Sequence, residues 1–467
     1  MNDVLKHTGY DLMPAAVDFF HTYETLGVKF EKNDRKLWMT KKIIDGIHIF
    51  YYPDRTIYRT KPGVNHACIP AVAMDQYLDY SVLSNPKLYS DMGYRYVMIS
   101  PPHMEFKKAP IRNPHLQLFA DSGGFQMRQG VTDFVDPNQL VDFYNASTDI
   151  GIGLDVPMHT ALYDKYLARM SHITSRNNKY IKARLNKNVR LWDLNHGADL
   201  KDRKVFLDVT EQYEPNDGIA LAGTSSKARG DSGVAAHQVN GVVGIAYVLA
   251  RSKSRYRTAH ILGTTTPFYM FVFHLMTKSG FFPHITSDSS TYAQAAMMNT
   301  QLTSVPGQSV LYRNTLPKGE VLYRSPCSCP VCGMVGYAHH LMLNARANMV
   351  HSLYHYAYLN DLTSDLADNY LAGHAKIAEV EKIISPASFQ PRHFNGTMRF
   401  LSDLFESGFQ KAYKANQHFI EPLIGRQKQH SLFGKERKLT VAHGDADRVD
   451  RILTSYETWQ KKNGVSK

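Results

Sequence analysis

A repeated alternation of strand and helix is the feature that most constrains this chain. Short apolar runs that favour strands recur between residues 94 and 288, separated by stretches with helical spacing. The predicted strands are 94–100, 116–121, 150–155, 189–195, 218–223, 258–263 and 283–288, and helical stretches between them include 137–147, 163–185 and 233–252. Strand, helix, strand at intervals of roughly 20 to 40 residues is typical of parallel strands joined by crossovers. So many units in one run favour an α/β fold, a closed (β/α)8 TIM barrel, over an open sheet.

The flanks of this run do not follow the repeat. Segment 36–59 predicts short strands with turns at Asp45-Gly46 and Pro53-Asp54. A helical stretch begins at Tyr337, and helices are predicted from about residue 360 onward, including 365–384 and 398–413. The predicted parts are a mixed N-terminal extension (1–90), the barrel (91–325), a zinc-binding loop and helix (326–360) and a helical C-terminal extension (361–467).

The composition is that of a soluble globular protein, with 43% apolar and 21% charged residues. A formal net charge of +12 fits a polyanionic partner, usually nucleic acid, although a merely basic soluble protein has the same balance. The sequence contains neither an evident signal peptide nor an apolar run long enough to span a bilayer. We therefore expect no membrane association and a cytoplasmic location.

Polar residues and glycines stand at the carboxyl ends of the predicted strands. In a barrel these ends share one face, and that face carries the active site. Each polar residue alone could be a helix N-cap, the commonest role for such residues after a strand. That interpretation requires three carboxylates to converge by accident. The strand-end residues are Asp121, Asp155, Asn195 with His196, Gly223 with Thr224, Gly263 with Thr264, and Asp288.

One strand end has an unusual sequence. The apolar run that begins at Leu118 leads into Asp-Ser-Gly-Gly-Phe-Gln at 121–126. The two glycines let the backbone turn sharply and approach a ligand closely, and Phe125 is free to cover a flat ring. A plain strand followed by a glycine turn is the alternative interpretation.

Three of the four cysteines lie within six residues, at Cys327, Cys329 and Cys332. They are too close for ordinary disulfides but suit one tetrahedral metal ion in a reducing cytoplasm. A downstream histidine would be the fourth ligand, and four protein ligands would make a closed, structural zinc site. A redox cysteine pair and three buried cysteines are the alternatives. The candidate histidines are His339, His340, His351 and His355, of which His351 falls about four turns along a helix begun at Tyr337.

Over residues 90 to 360 the chain resembles the tRNA-guanine transglycosylase superfamily. The family hallmark Asp-Ser-Gly-Gly-Phe-Gln stands unchanged at 121–126. The family's zinc loop, Cys-x-Cys-x-x-Cys followed by a helix and His-Asn-Leu, is similar to 327–332 and the His-Ser-Leu at 351–353. The archaeal nucleophile segment, Phe-Asp-Ser-Ala-Ser-Tyr-Ala, resembles Ser-Asp-Ser-Ser-Thr-Tyr-Ala at 287–293.

The resemblance implies a role for each matched residue. Asp288 would be the nucleophile that attacks C1′ of the target nucleotide, and Asp121 would transfer protons to and from the bases. The base-binding residues would be Ser122, Phe125, Asp155, His196 and Gly223, with Phe125 stacking on the base and Asp155 reading its amide and exocyclic amine. The structural zinc would be held by Cys327, Cys329, Cys332 and His351.

Departures from the tRNA enzymes indicate a different nucleic acid. His196 replaces the family's glutamine, Ala-Gly-Thr-Ser-Ser at 222–226 replaces Gly-Gly-Leu-Ala-Val-Gly, and a Pro-Thr-Arg stretch after the nucleophile is missing. These changes resemble the divergent branch that inserts 7-deazaguanines into DNA. The expected activity is that of a pentosyltransferase exchanging guanine in DNA for free 7-cyano-7-deazaguanine or a relative, and a homodimer is left open. The alternatives are the same exchange on tRNA, of queuosine or archaeosine type, a base-removing hydrolase, and a non-catalytic nucleic-acid-binding paralogue.

Overall fold

The computed structural model describes residues 9–14, 30–32, 38–44, 47–52, 55–59, 68–70, 93–101, 116–124, 127, 132–156, 162–223, 233–289, 300–302, 309–311, 345–385, 390–424 and 436–465. The chain divides into two compact units. Unit 1 consists of Met1–Met13, Tyr96–Asp288 and Thr363–Lys467. Unit 2 consists of Pro14–Arg95 and Ser289–Leu362.

The elements of the described residues are numbered in chain order. The strands are β1 Gly9–Pro14, β2 Phe30–Lys32, β3 Trp38–Ile44, β4 Ile47–Tyr52, β5 Arg55–Arg59, β6 Cys68–Pro70, β7 Tyr96–Ile99, β8 Gln117–Ala120, β9 Ile150–Ile152, β10 Arg190–His196, β11 Gly218–Ala222, β12 Thr258–Ile261, β13 His284–Ser289, β14 Thr300–Leu302 and β15 Ser309–Leu311. The helices are α1 Pro137–Ser147, α2 Tyr163–Lys182, α3 Leu200–Thr210, α4 Gly233–Ser252, α5 Pro267–Lys278, α6 Ala345–Leu371, α7 Ile377–Ile384, α8 Pro391–Ser407, α9 Phe409–Ala415, α10 Gln417–Ile424 and α11 Glu436–Lys462.

An eight-stranded parallel sheet forms the centre of unit 1. Its order is β1-β13-β12-β11-β10-β9-β8-β7, and each neighbouring pair from β7 to β13 is parallel. The N–H of Gly9 donates to the carbonyl of Pro283 at 2.9 Å, so β1 and β13 start at the same edge and run in the same direction. The sheet curls until the rings of Tyr96 on β7 and His284 on β13 lie 6.1 Å apart. The predicted α/β class with consecutive parallel strands is confirmed.

The concave side of the sheet is filled by large side chains. Phe119 on β8, Trp192 on β10 and His260 on β12 are all fully buried. The ring of Phe119 lies 4.9 Å from that of Trp192 and 5.6 Å from that of His260. Inward residues contributed by alternate strands form a layer, as in the packed interior of barrel folds. This layer of packed rings is part of the core of unit 1.

Helices α1 to α5 connect successive strands, and local sequence sets where several of them begin. Asp136 caps α1 by accepting from the N–H of Asn138, and Pro137 occupies the first turn, where its missing N–H costs nothing. Thr266 caps α5 in the same way, by accepting from the N–H of Tyr269 ahead of a first-turn proline. The helices predicted over 137–147, 163–185 and 233–252 are confirmed. Within the described parts of the chain, no helix has the length and apolarity needed to cross a bilayer.

The structure corrects two expectations. The helix predicted over 365–384 is two helices, because α6 ends at Leu371 and Gly373 adopts φ +74° before α7. The helix predicted over 398–413 is likewise interrupted at Gly408, whose φ is +79°. A glycine in this left-handed region ends a helix rather than continuing it. β1 is an additional strand of the parallel sheet that was not predicted from the sequence.

Unit 2 contains an antiparallel sheet of β2 to β6, and a hairpin of β14 and β15. The strands predicted within 36–59 are confirmed as β3, β4 and β5. The hydroxyl of Tyr94 donates to the carbonyl of Leu353 on α6 at 2.7 Å. His351 and His355 lie one turn apart on this helix with their rings stacked at 6.3 Å, and both are buried.

Candidate active site

Six predicted positions lie at one edge of the sheet in unit 1. Because β8 to β13 are parallel, their carboxyl ends meet at this edge. We call it the strand-end face. Its residues are Asp121 after β8, Asp155 after β9, His196 at the end of β10, Gly223 after β11, Gly263 after β12 and Asp288 near the end of β13.

The turn after β8 fixes the carboxylate of Asp121. The N–H of Asp121 donates to the carbonyl of Ile99 at 2.8 Å, which extends the pairing of β7 and β8 by one residue. The N–H of Ser122 then donates to Oδ1 of Asp121, also at 2.8 Å. Gly123 follows with φ +89°, a conformation that glycine adopts without strain. Asp121 is therefore held, half-buried, by its own turn.

Gly124 leaves room for the carboxylate of Asp155. A Cβ at Gly124 would lie 2.1 Å from Oδ1 of Asp155 and 2.9 Å from its Cγ. The same Oδ1 accepts a hydrogen bond from the hydroxyl of Ser122 at 3.3 Å. The Ser-Gly-Gly turn and the buried carboxylate of Asp155 are thus packed as one cluster.

His196 adjoins the other oxygen of Asp155. Its Nε2 lies 3.6 Å from Oδ2 of Asp155, and its Nδ1 lies 2.7 Å from the hydroxyl of Tyr163 at the start of α2. The rings of Tyr163 and His196 meet edge to face at 5.6 Å. Tyr163 therefore fixes the orientation of the imidazole, and both side chains are buried.

Asp121 and Asp155 both take up protons more readily than ordinary carboxylates. Burial raises the pKa of Asp155 from 3.8 to about 7, and the negative charge of Asp121 adds to the rise. Burial, followed by the charge of Asp288, raises the pKa of Asp121 from 3.8 to about 6. Hydrogen bonds from Ser122 oppose both shifts without cancelling them. Near neutral pH this side of the face can both give and accept a proton.

Asp288 has different surroundings. The N–H of Gly263 donates to its Oδ1 at 2.7 Å, and Nε2 of His260 lies 3.3 Å from the same oxygen. Among the described residues Oδ2 of Asp288 has no hydrogen-bond partner. The side chain is 14% exposed. One oxygen of this carboxylate is anchored, and the other is uncommitted at the strand-end face.

The last helix braces the segment that follows Asp121. Arg448 on α11 donates to the carbonyl of Met127 at 2.6 Å. The buried hydroxyl of Tyr456, also on α11, accepts from the N–H of Val135 at 3.1 Å and donates to the carbonyl of the same residue at 3.0 Å. We call these contacts of Arg448 and Tyr456 the α11 brace. The N–H of Met127 donates to the carbonyl of Gly123 at 3.1 Å, so the brace is connected to the glycine turn.

Two further predicted site residues, Gly223 and His351, lie within the described part of the chain. Gly223 is at the strand-end face with φ +78°, and a Cβ there would lie 2.8 Å from the carbonyl oxygen of Gly197. His351 is in unit 2, fully buried on α6. The others lie outside the described residues: Phe125, Cys327, Cys329 and Cys332. Among the described residues no group of three histidine, cysteine or acidic side chains is placed to hold a metal ion.

Sequence reasoning missed three neighbours of the predicted site: Tyr163, His260 and the α11 brace. Tyr163 and the brace join positions far apart in the chain: Tyr163 and His196 are separated by 33 positions, and Arg448 and Met127 by 321. His260 stands inside an apolar strand, where a satisfied core histidine is the ordinary interpretation. The weak signal was its place near the end of β12, two residues before the Leu-Gly pair at 262–263.

No protein-family model matches this chain, and a search of curated proteins finds no significant match. A functional conclusion therefore depends on the chemistry of the strand-end face and on the motifs themselves.

Proposed function

We propose that this chain is a pentosyltransferase that exchanges guanine in DNA for a free 7-deazaguanine base, 7-cyano-7-deazaguanine or a relative. The observation that carries the proposal is the division of the strand-end face. Asp288 offers an uncommitted carboxylate oxygen, while Asp121 and Asp155 have pKa values of about 6 and about 7. A base exchange at C1′ needs both kinds of group, a nucleophile and proton carriers.

The reaction consists of two displacements. Oδ2 of Asp288 attacks C1′, the bond from C1′ to guanine breaks, and the bonding electrons leave with the base. Protonated Asp121 gives the departing guanine its proton. The incoming base then loses a proton to Asp121 and attacks C1′, which releases the carboxylate of Asp288. Two inversions retain the configuration at C1′, and one glycosidic bond replaces another without an energy source.

The cluster around Asp155 is suited to reading the base. Asp155 can accept hydrogen bonds from the amide N–H and exocyclic amine of a guanine-like ring. Ser122 and Gly124 shape the wall beside it, and His196 contributes a second polar group. We assign base stacking to Phe125 and a backbone contact to Gly223, as the family resemblance implies. The target nucleotide must leave its stack to reach this face, as in other enzymes that act on a base.

The proposal includes a closed (β/α)8 barrel and a structural zinc ion. The contact between Tyr96 on β7 and His284 on β13 supports closure, since β7 is one end of the sheet order and β13 is next to the other end. Zinc would be held by Cys327, Cys329, Cys332 and His351, and would stabilise the fold without a chemical step. Metal analysis should find about one zinc per chain. A metal-free chain that keeps its full stability would contradict this part.

DNA is the proposed partner, with a cytoplasmic location and possible assembly as a homodimer as further expectations. The net charge of +12 supports a polyanionic partner. The choice of DNA rather than tRNA rests on His196, on the altered segment 222–226 and on the missing Pro-Thr-Arg stretch.

The test is incorporation of labelled 7-cyano-7-deazaguanine into duplex DNA and, in parallel, into bulk tRNA. We expect label in DNA, and Asp288→Asn should lower the rate by about 10⁴-fold or more because no covalent intermediate can form. Asp142→Asn is the matched control, since Asp142 is an exposed carboxylate on α1. It should leave incorporation unchanged.

Each other outcome supports a named alternative. Label in tRNA alone would show that the DNA assignment is wrong. Release of guanine without uptake of label would indicate a hydrolase. No label in either nucleic acid, with binding unchanged in Asp288→Asn, would indicate a non-catalytic paralogue.

A further inference from the structure

Strand pairing ends before the backbone of β9 reaches Asp155. The last residue of β9, Ile152, lies opposite Trp192 of β10. The N–H of Gly153 still donates to the carbonyl of Trp192 at 2.9 Å. Beyond that bond, no strand-to-strand hydrogen bond within the described residues holds Leu154 or Asp155. The position of Asp155 therefore depends on contacts other than sheet pairing.

Two helices each contribute one buried side chain to this part of the backbone. Oδ1 of Asn178 on α2 accepts from the N–H of Leu154 at 2.9 Å. The hydroxyl of Tyr144 on α1 donates to the carbonyl of Ile152 at 2.7 Å. A buried backbone group without a partner is costly, so these two bonds stabilise one backbone path past the end of β9. We call Tyr144 and Asn178 the β9 clamp.

Glycines leave the space that the clamp occupies. A Cβ at Gly151 would lie 2.3 Å from Cε2 of Tyr144. A Cβ at Gly153 would lie 2.2 Å from Nδ2 of Asn178. Close packing of helices on a glycine-containing strand is the ordinary interpretation of such contacts. The clamp adds direction to that packing, because its polar atoms bond the backbone on either side of Gly153, and the bonded N–H belongs to the residue immediately before Asp155.

The carboxylate of Asp155 has little freedom to shift. Its Oδ1 accepts from the hydroxyl of Ser122 at 3.3 Å, and its Oδ2 lies 3.6 Å from Nε2 of His196. The same Oδ1 would lie 2.1 Å from a Cβ at Gly124. A shift of the preceding backbone by about 1 Å would break this arrangement, and a misplacement of that size can cost an enzyme about 100-fold in rate.

We propose that Tyr144 and Asn178 are positioning residues that hold the backbone before Asp155 and thereby set where its carboxylate meets the base. The inference rests on the proposed function, in which Asp155 reads the base. Both side chains are buried, so they act through Asp155 and do not touch the substrate.

Kinetics of the exchange test the clamp. Asn178→Leu removes the acceptor of the Leu154 N–H at nearly unchanged volume. We expect KM for free 7-cyano-7-deazaguanine to rise by about 10-fold or more while kcat changes much less, because Asp155 contributes binding of the base and not the bond to C1′. Tyr144→Phe removes a single hydroxyl and should give the same split with a rise of about threefold. This milder variant keeps the test decisive if Asn178→Leu does not fold.

Each clamp variant has a matched control. Asn177 is the next residue toward the start of α2 and is fully buried, and its Oδ1 accepts from Nε2 of Gln460 on α11 at 2.7 Å. The buried hydroxyl of Tyr269 on α5 donates to the carbonyl of Gln238 at 3.1 Å. Asn177→Leu and Tyr269→Phe should lose stability and leave KM for the base unchanged. An unchanged KM in both clamp variants, or an equal rise in the controls, would overturn the inference.

The position of Asp155 can also be followed without any substrate. Burial is the largest cause of its raised pKa of about 7. A ¹³C NMR titration of labelled aspartate carboxyl groups measures this pKa, and Asp155→Asn identifies the signal. In Asn178→Leu we expect the pKa of Asp155 to fall, because a carboxylate released from its place gains access to water. In Asn177→Leu the pKa of Asp155 should not change.

The groups that face Asp155 are the same in Asn178→Leu and in its control, so their charges do not differ between the two titrations. These groups are Asp121 after β8, His196 on β10, Tyr144 on α1 and Tyr456 on α11. A pKa of Asp155 that stays at about 7 in Asn178→Leu would overturn the inference.

Failure of the two proposals is distinguishable. A chain that transfers no base into DNA or tRNA contradicts the proposed function, and the titration then decides by itself whether the clamp positions Asp155. An active chain in which the clamp variants alter neither KM nor the pKa of Asp155 contradicts the further inference alone.

Discussion

The two sides of the strand-end face both carry carboxylates, but they place them in different surroundings. On one side, the half-buried Asp121 lies close to the buried Asp155, and their pKa values rise to about 6 and about 7. On the other, Asp288 is anchored by the N–H of Gly263 and adjoins His260. Environment rather than residue type separates the proposed proton carrier from the proposed nucleophile, and carboxylates with different surroundings are a common arrangement for acid and base chemistry.

The two sides are also supported differently. The segment after Asp121 is braced by Arg448 and Tyr456 of α11. Asp288 is supported from within the sheet, by residues at the ends of β12 and β13. The first side therefore depends on packing of the C-terminal helix, and the second depends on strand pairing. Three changes test this difference.

The largest expected effect is a pH dependence of the free energy of unfolding that comes from Asp155, on the side of the face that also holds Asp121. The folded-state pKa of Asp155 is about 7, against 3.8 in the unfolded chain. The folded state therefore binds this proton more tightly than the unfolded state, and proton binding by Asp155 contributes to the free energy of unfolding. The contribution is complete below about pH 4 and is lost as pH rises through about 7. Asp155→Asn should gain stability relative to the unmodified protein over that window, by about 3–4 kcal/mol.

Urea denaturation at pH 4.5 and pH 8 measures this difference. Asp142→Asn, which alters an exposed carboxylate, should show no comparable change between the two pH values. A constant stability difference between Asp155→Asn and the unmodified protein at both pH values would mean that Asp155 is not a desolvated acid.

A smaller effect is expected from filling the space beside Asp155. Gly124→Ala would place a Cβ 2.1 Å from Oδ1 of Asp155, so the carboxylate must move away from Ser122. We expect a loss of about 2 kcal/mol in the free energy of unfolding. Gly244→Ala on α4 is the control, since its Cβ would meet only Nε of Arg203, at 3.8 Å. That helix position should gain stability slightly, as alanine replaces glycine.

Thermal and chemical denaturation of both variants would give the comparison. Equal stabilities for Gly124→Ala and the unmodified protein would show that the cluster can accommodate a Cβ at this position. The packing of Asp155 would then not require a glycine.

The smallest effect concerns the brace. Tyr456→Phe removes the hydroxyl that pairs with the N–H and carbonyl of Val135, and should cost about 1 kcal/mol. Amide hydrogen exchange should speed up around Gly123 and Val135 and remain unchanged in β12 and β13. Tyr247→Phe is the control, because that partly exposed hydroxyl contacts only Arg251 among the described residues. Faster exchange in β13 as well would mean that the two sides are not supported separately.

The regular parts of the fold were predictable because local patterns specify them. Apolar runs ending in polar residues located β7 to β13, and Asp136-Pro137 marked the start of α1. The breaks at Gly373 and Gly408 were missed because a glycine within a helical pattern does not reveal its φ. β1 was missed because a single strand remote from the repeat carries no periodic signal.

The sequence by itself determined which residue types stand at the strand ends, since each is fixed by its place after an apolar run. It determined Asp121, Asp155 and Asp288 as candidates, and the glycines that shape the turn. Only the tertiary structure decided their surroundings: that Gly124 meets Asp155, that Tyr163 orients His196, and that His260 adjoins Asp288. The physical reason is that a carboxylate's proton affinity depends on burial and on nearby charge, and both arise from residues distant in the chain.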